Sequence, residues 1–186
     1  SIVIVTIFIN PIQFNNDEDF KKYPTSIKKD IVKLEELEVD YLFVPKVREI
    51  YPDGYQTKVS VSHLKNHLCG LTRDGHFDGV TSVVLKLFNL TIPNYSFFGE
   101  KDLQQLKILE DFIRKNHPDC KVVACKTIRE KNGIALASIG GITNTFTPNT
   151  NSMNDAGSKM ADFLYKNGLF KKLYIMFGCC VCFLKS

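Results

Sequence analysis

The sequence predicts an α/β fold with a Rossmann-like parallel sheet and helices on both faces. The apolar run Ile2–Ile9 is rich in β-branched residues and has no polar face, which is typical of a strand buried on both sides. Further along the chain, short apolar strands alternate with amphipathic helices. This alternation is the pattern of a parallel sheet whose strands are connected by helices.

The first elements follow in a regular order. Asn10-Pro11 ends the first strand, and a helix begins near Ser26, whose hydroxyl can cap the first turn. Residues Tyr41–Val44 form a second strand that a proline stops. Lys58–Ser62 alternates weakly between polar and apolar residues, which indicates a strand near the edge of the sheet.

The second half of the pattern is more regular. An apolar stripe at helical spacing follows Gly79, and Tyr95–Phe98 is a third strand. A helix from about Asp102 to Lys115 and a strand over Lys121–Cys125 complete the alternation. On the helix from about Asp102 to Lys115, the apolar positions expected to face inward are Leu103, Leu106, Leu109, Phe112 and Ile113.

Two strand ends are candidate sites on fold grounds alone. Open α/β sheets bind ligands beyond the carboxyl ends of their strands. Residues 10–14 follow the first strand, and residues 99–102 follow the third. Both segments carry polar side chains, so we expect a ligand site where they meet.

Composition argues against several classes of function. The chain has 186 residues and a net charge of +4, and its lysines are scattered without the basic or aromatic-rich patch of a nucleic-acid-binding protein. The apolar segments at its two ends are too short for the ~20 residues that a membrane-spanning helix needs. The six cysteines form no regular disulfide framework, and no signal peptide is recognisable. A reduced, cytoplasmic setting is therefore expected.

Four segments together resemble the pantothenate synthetases, which are ATP-dependent pantoate–β-alanine ligases. They are IFINPIQF (7–14), YPDG (51–54), RDGHFDGV (73–80) with LKLFN (85–89), and GEKDLQQ (99–105). Their order and spacing also fit this family. The resemblance covers roughly residues 4 to 136 and implies an incomplete nucleotidyltransferase-like fold.

The resemblance implies a two-step reaction in coenzyme A biosynthesis. The carboxylate of pantoate attacks ATP to give pantoyl adenylate and pyrophosphate, and the amine of β-alanine then displaces AMP to give pantothenate. Activation is chemically necessary because a carboxylate has a poor leaving group, whereas AMP is a good one. ATP as a substrate, Mg²⁺ and a homodimer are implied in the same way.

The resemblance also implies a role for particular residues. The pocket for pantoate and β-alanine would contain Asn10, Gln13, Arg73, His76 and Gln105. The ATP segment would contain Gly99, Glu100, Lys101, Asp102 and Ile128, with Lys101 as the catalytic residue that neutralises charge on the departing pyrophosphate.

Without the resemblance, simpler interpretations stay open. Gln13 can be an ordinary loop residue, and Arg73 a surface charge beside a plain turn. Asp102 can cap a helix with Gln105 as its partner in a capping box. His63 and His67, four residues apart and with Cys69 nearby, could bind zinc, but there is no strong signal for a third and fourth ligand, and we expect no metal site there.

The chain departs from the family at two places. The His-x-Gly-His motif is absent and would lie before Ser1. Leu136–Ile139 replaces the Met-Ser-Ser-Arg of the family, so that Ile139 stands for an arginine. We therefore expect a truncated member: residues 1–138 form a partial domain for nucleotide and pantoate, and residues 139–186 form a diverged tail without a recognisable C-terminal domain.

Three interpretations of function remain open at this point. The chain can be a pantothenate synthetase that is incomplete or impaired. It can be a noncatalytic remnant that binds pantoate or a partner subunit. It can also be a different α/β nucleotidyltransferase-like enzyme with another substrate.

Overall fold

A computed structural model describes residues 2–15, 20, 21, 27–62, 64–127, 129, 131, 133 and 180–185, the last six as backbone only. In chain order its elements are β1 (Ile2–Ile7), α1 (Ile27–Glu36), β2 (Tyr41–Phe43), α2 (Val47–Ile50), α3 (His76–Thr91), β3 (Tyr95–Gly99), α4 (Leu103–Asn116), β4 (Lys121–Cys125) and β5 (Cys180–Lys185). Single turns of 3-10 helix cover Pro11–Gln13, Leu68–Leu71 and Glu100–Asp102.

The five strands form one sheet in the order β2-β1-β5-β3-β4. Strand β1 pairs in parallel with β2, and β3 pairs in parallel with β4. Strand β5 runs antiparallel to both β1 and β3. Strands β1 to β4 therefore all point the same way, and the parallel sheet predicted from these four segments is confirmed.

The strand at the centre of the sheet comes from the tail, which the sequence did not predict as part of the sheet. Residues Cys180–Lys185 pair with β1 along its whole length, from Ile7 to Ile2, and with the segment Tyr95–Phe97 of β3. Strand β5 thus joins two parallel pairs into one sheet. The domain boundary at residue 138 stays a prediction, but these 6 residues beyond it belong to the same sheet as β1.

Helices cover both faces of the sheet, as predicted. Alternate residues of β1 point to opposite faces, which gives the sheet two apolar surfaces. Helices α3 and α4 pack on the face that carries Phe8 and Phe98, and Phe88 and Leu109 are completely buried there. Helix α1 packs on the other face through Leu34, among residues that include Val3, Val5, Phe97 and Cys125.

The segment Lys58–Ser62 is not a strand, contrary to the prediction. It is irregular backbone, although Val59 and Val61 pack against the core beside α3 and α4. The backbone N–H of Val61 donates to the carboxylate of Asp78 at 3.1 Å instead of to a neighbouring strand. Local alternation gave the apolar positions correctly, but a strand also needs a ladder partner.

Other element boundaries differ slightly from the prediction. Strand β1 ends at Ile7 rather than Ile9, and Leu103 begins α4 with 56% of its surface exposed rather than facing inward. Ser26 lies outside the described residues. None of the helices in the described part of the chain is both long and apolar enough to cross a membrane.

Helix α4 offers a matched test of the packing. Leu109 is fully buried, so Leu109→Ala should lower the free energy of unfolding by about 2–5 kcal/mol through lost burial and a cavity. Leu103→Ala in the same helix should change it by less than about 0.5 kcal/mol, because Leu103 is exposed. Urea denaturation of both variants measures the difference, and equal losses would contradict this packing.

Candidate active site

Three chain segments meet at the carboxyl edge of the sheet. The turn Pro11–Gln13 follows β1, and the turn Glu100–Asp102 follows β3. Because β1 and β3 point the same way, both turns lie at the same edge of the sheet. Helix α3 begins at His76 and packs its first turns against Pro11–Gln13.

The amide of Asn10 connects these segments. Asn10 is only 1% exposed, and its Nδ2 donates to the backbone oxygen of Gly79 and to Oε1 of Gln13, both at 3.0 Å. Its Oδ1 accepts a hydrogen bond from the hydroxyl of Tyr51 at 2.8 Å. A buried amide with both donor hydrogens and its oxygen engaged holds one orientation.

Gly79 permits the close approach of α3 to the turn after β1. A Cβ atom at this position would lie 2.7 Å from the backbone oxygen of Ile12 and 2.9 Å from the Cα of Gln13. Backbone atoms cannot move aside as the end of a side chain can. A larger residue at position 79 would therefore push the helix away from Asn10 and Gln13.

His76 fixes the backbone of Gln13 from the start of α3. Its Nδ1 lies 2.8 Å from the carbonyl oxygen of Gln13, which can only accept, so Nδ1 carries the hydrogen. Burial lowers the pKa of His76, the hydrogen bond to Gln13 and the charge of Asp102 raise it, and the charge of Arg73 lowers it. In the neutral ring Nε2 is then a hydrogen-bond acceptor.

Arg73 and Asp102 lie within electrostatic reach of the same imidazole. The loop that carries Arg73 is held to the turn after β1 by the side chain of Asn15, which donates to the backbone oxygen of Asp74 at 2.8 Å. Gly75 has a positive φ of 71° where this loop enters α3. Hydrogen bonding and electrostatic interactions with the His76 ring thus bring together four residues: Gln13, Arg73, His76 and Asp102.

The Gly99–Asp102 segment presents an exposed Lys101 between two exposed acidic residues. Burial and the charge of nearby Glu100 raise the pKa of Cys125 to about 12, which places the end of β4 beside this turn. Asp102 occupies the N-cap position of α4, but its side chain makes no capping hydrogen bond. The simple interpretation of Asp102 as a helix cap is therefore not supported.

The two adjacent glutamines of α4 have different roles. Gln104 ties α4 to the 64–69 loop: its Nε2 donates to the backbone oxygens of Leu64 and His67, and its Oε1 accepts from the N–H of Cys69. Gln105, one residue on, is half-buried, and no described residue hydrogen-bonds its side-chain amide. Gln105 rather than Gln104 is therefore available to a ligand.

Sequence reasoning missed Tyr51 and gave two residues that cannot be placed. The resemblance included Tyr51 only as part of the YPDG turn, whereas its hydroxyl reaches Asn10. Ile128 and His63 lie outside the described residues, so the nucleotide contact and the zinc alternative stay predictions. Within the described residues no group of three or more His, Cys, Asp or Glu side chains could hold a metal ion.

Comparison with known proteins identifies the family. The model of the pantoate-beta-alanine ligase family matches residues 1–145. The chain belongs to this family. It is 42% identical over 177 residues to the pantothenate synthetase of Thermosipho africanus and 48% identical over 137 residues to that of Shouchella clausii.

Solved structures of the family agree. The pantothenate synthetase of Thermus thermophilus superimposes with a TM-score of 0.71 at 36% identity over 89% of this chain. The pantoate-beta-alanine ligase of Francisella tularensis, solved in complex with beta-gamma ATP and β-alanine, gives a TM-score of 0.70 at 34% identity. This chain spans 60% of each of those two chains.

The chain is shorter than the family members it resembles. It covers 60% of the Thermosipho protein and 45% of the Shouchella protein, which correspond to 95% and 74% of its own length. The family match over residues 1–145 includes strands β1 to β4.

The pKa of His76 gives a test of this geometry. Its folded-state pKa is lowered, so its contribution to stability is complete above the usual value of about 6.5 and is lost as the pH falls from there. NMR titration of the ring, assigned with His76→Gln, should give a midpoint below 6.5. Between about pH 7 and pH 5 the variant should lose less unfolding free energy than the wild type. A ring that titrates at or above 6.5 would contradict the burial of His76.

Proposed function

We propose that this chain forms the pantoate- and nucleotide-binding part of an ATP-dependent pantoate–β-alanine ligase. The observation that carries the proposal is the meeting of Asn10–Gln13, Arg73–His76 and Glu100–Asp102 at one edge of the sheet, in a chain of this family. The Francisella relative supports it, since that ligase was solved with beta-gamma ATP and β-alanine.

In the first step the amides of Gln13 and Gln105 hold the hydroxyl and carboxylate of pantoate, and Arg73 offsets the carboxylate charge. A carboxylate oxygen attacks the α-phosphorus of ATP. The bond from that phosphorus to the bridging oxygen breaks, and pyrophosphate leaves. Lys101 neutralises the charge that grows on the leaving group, and Gly99 lets the nucleotide approach the backbone.

In the second step the amine of β-alanine attacks the acyl carbon of pantoyl adenylate. The bond from this carbon to the AMP oxygen breaks, AMP leaves with the electron pair, and the nitrogen loses its extra proton. The protein holds the two reactants together, so placement supplies most of its contribution. The acceptor Nε2 of His76 suits a hydroxyl or amine hydrogen of either substrate.

Mg²⁺ would accompany the triphosphate. In nucleotide-dependent enzymes Mg²⁺ usually keeps several waters and binds through phosphates and one or two carboxylates. The carboxylates of Glu100 and Asp102 flank Lys101 and are the groups that would hold it. The ion would offset phosphate charge during the first step.

The setting and assembly follow the family. We place the chain in the cytoplasm, in keeping with the free thiols of Cys69, Cys120 and Cys125 among the described residues. We also propose a homodimer. Light scattering during size-exclusion chromatography measures its mass, and a monomer at micromolar concentration would remove this part of the proposal.

A second candidate is a noncatalytic remnant that binds pantoate or a partner subunit. The substitution of Ile139 for the family arginine favours it, because a phosphate contact is lost there. Leu136–Ile139 lies outside the described residues. Pantoate binding without AMP formation distinguishes the remnant from an active ligase, and binding of a different substrate acid would favour the third interpretation.

The two glutamines of α4 provide a matched test of the pantoate pocket. Gln105→Ala should weaken pantoate binding by about 1–3 kcal/mol, because a polar partner of the ligand is removed. Gln104→Ala should lower stability, because three hydrogen bonds to the 64–69 loop are lost, but should weaken binding less. Calorimetric titration with pantoate measures the affinity of both variants. If Gln105→Ala binds pantoate as tightly as the wild type, Gln105 does not contact pantoate.

AMP release tests the activity of the 186-residue chain itself. We expect little or no turnover with ATP, pantoate and β-alanine, because losing one preorganised partner of a transition-state charge typically costs ~10²–10³ in rate. Position 139 holds isoleucine where the resemblance implies an arginine that contacts phosphate. Turnover near the ~10 s⁻¹ typical of enzymes would contradict this prediction.

A further inference from the structure

The amide of Asn10 transmits an orientation from the protein core to Gln13. The backbone oxygen of Gly79 can only accept, so the Asn10 nitrogen must face it, and the Asn10 oxygen must face Tyr51. The second hydrogen of the same nitrogen points to Oε1 of Gln13. The oxygen of Gln13, and not its NH₂ group, is therefore turned toward Asn10.

Tyr51 is the one member of this chain of hydrogen bonds that belongs neither to the turn after β1 nor to α3. It follows α2, and its hydroxyl must donate, because the Asn10 oxygen that it meets at 2.8 Å can only accept. Burial, together with the charge of Tyr55, raises the pKa of Tyr51, so the hydroxyl keeps its hydrogen at physiological pH.

The ring of Tyr51 is held independently of its hydroxyl. Its centroid lies 6.3 Å from that of Phe8 and 5.1 Å from that of Tyr55, and Lys86 Nζ lies 5.6 Å from it. These contacts persist if the hydroxyl alone is removed. The role of the hydroxyl can therefore be separated from that of the ring.

We infer that Tyr51 is a positioning residue for the pantoate site: its hydroxyl fixes the Asn10 amide, which fixes the Gln13 amide with its NH₂ group turned away from Asn10. The inference rests on the proposed function, which makes Gln13 a ligand of pantoate. An NH₂ group so directed donates to an oxygen of the substrate, and the backbone of the same residue is held by His76. Without the hydroxyl, the buried Asn10 oxygen loses its partner, and only Gly79 still holds the Asn10 amide from outside the turn. The amide can then tilt away from Gln13, which loses the contact that sets its own orientation.

The test compares Tyr51→Phe with Tyr55→Phe. The ring of Tyr55 lies 5.1 Å from that of Tyr51 with an interplanar angle of 53°, and Lys86 Nζ lies 4.3 Å from its centroid, yet no described residue hydrogen-bonds its hydroxyl. Pantoate titration of the full chain should show about tenfold weaker binding for Tyr51→Phe and a change of less than about twofold for Tyr55→Phe. Binding by Tyr51→Phe that equals the wild type overturns the inference and leaves the proposed function intact.

A double-mutant cycle with Gln13→Ala distinguishes positioning from a general loss of structure. If Tyr51 acts through Gln13, Tyr51→Phe should not weaken binding further in the Gln13→Ala background. The inference is overturned if Tyr51→Phe weakens pantoate binding by the same factor in both backgrounds. Should Tyr51→Phe prove unstable, Asn10→Ala interrupts the same chain of bonds and must show the same lack of additivity.

The side-chain amide signals of Gln13 give a readout that needs no ligand. In ¹⁵N NMR spectra they should shift in Tyr51→Phe and stay in place in Tyr55→Phe. Failure of the wild-type chain to bind pantoate contradicts the proposed function. In that case the amide spectra still test whether Tyr51 sets the orientation of the Gln13 amide. Unchanged Gln13 signals in Tyr51→Phe overturn the inference.

Discussion

The buried amide of Asn10 is the interaction on which the geometry of the site depends. An amide that leaves water costs free energy unless its hydrogen bonds are remade, and here three different parts of the chain remake them. One of these partners is the backbone of α3, which can come close enough only because position 79 is a glycine. The turn after β1, the start of α3 and the segment that follows α2 are thereby locked into one unit.

The direction of the strands decides which loops reach this unit. Strands β1 and β3 both end at the same edge, so the turns that follow them can share a ligand. Strand β5 lies between them but runs the other way, with Cys180 opposite Ile7. It completes the hydrogen bonding of the sheet, with its first residue, Cys180, at the site edge and its last, Lys185, at the opposite edge. The site is therefore built by the turns that follow β1 and β3, the two strands on either side of β5.

Much of the fold and part of the site followed from local signals in the sequence. Apolar periodicity identified β1 to β4 and the longer helices α1, α3 and α4 but not the short α2, and their order placed Gln13 and Lys101 at strand ends. The role of β5 could not be predicted, since its place depends on pairing with residues about 180 positions away rather than on its own pattern. The different roles of Gln104 and Gln105 could not be predicted either. Two identical neighbours on a helix differ only in the surroundings that each side chain faces. Tyr51 looked like a turn residue because a hydrogen bond across 41 positions leaves no local trace.

The central claim is that pantoate binds where the ends of β1 and β3 meet the start of α3. The direct measurement is a map of backbone amide shifts in the ¹⁵N NMR spectrum of the full chain as pantoate is added. The account predicts saturable shifts at residues 10–14, 73–79 and 99–105, with the amino ends of β1 and β4, at Ile2 and Lys121, unchanged. Shifts confined to that opposite edge, or no saturable shift at millimolar pantoate, would contradict it.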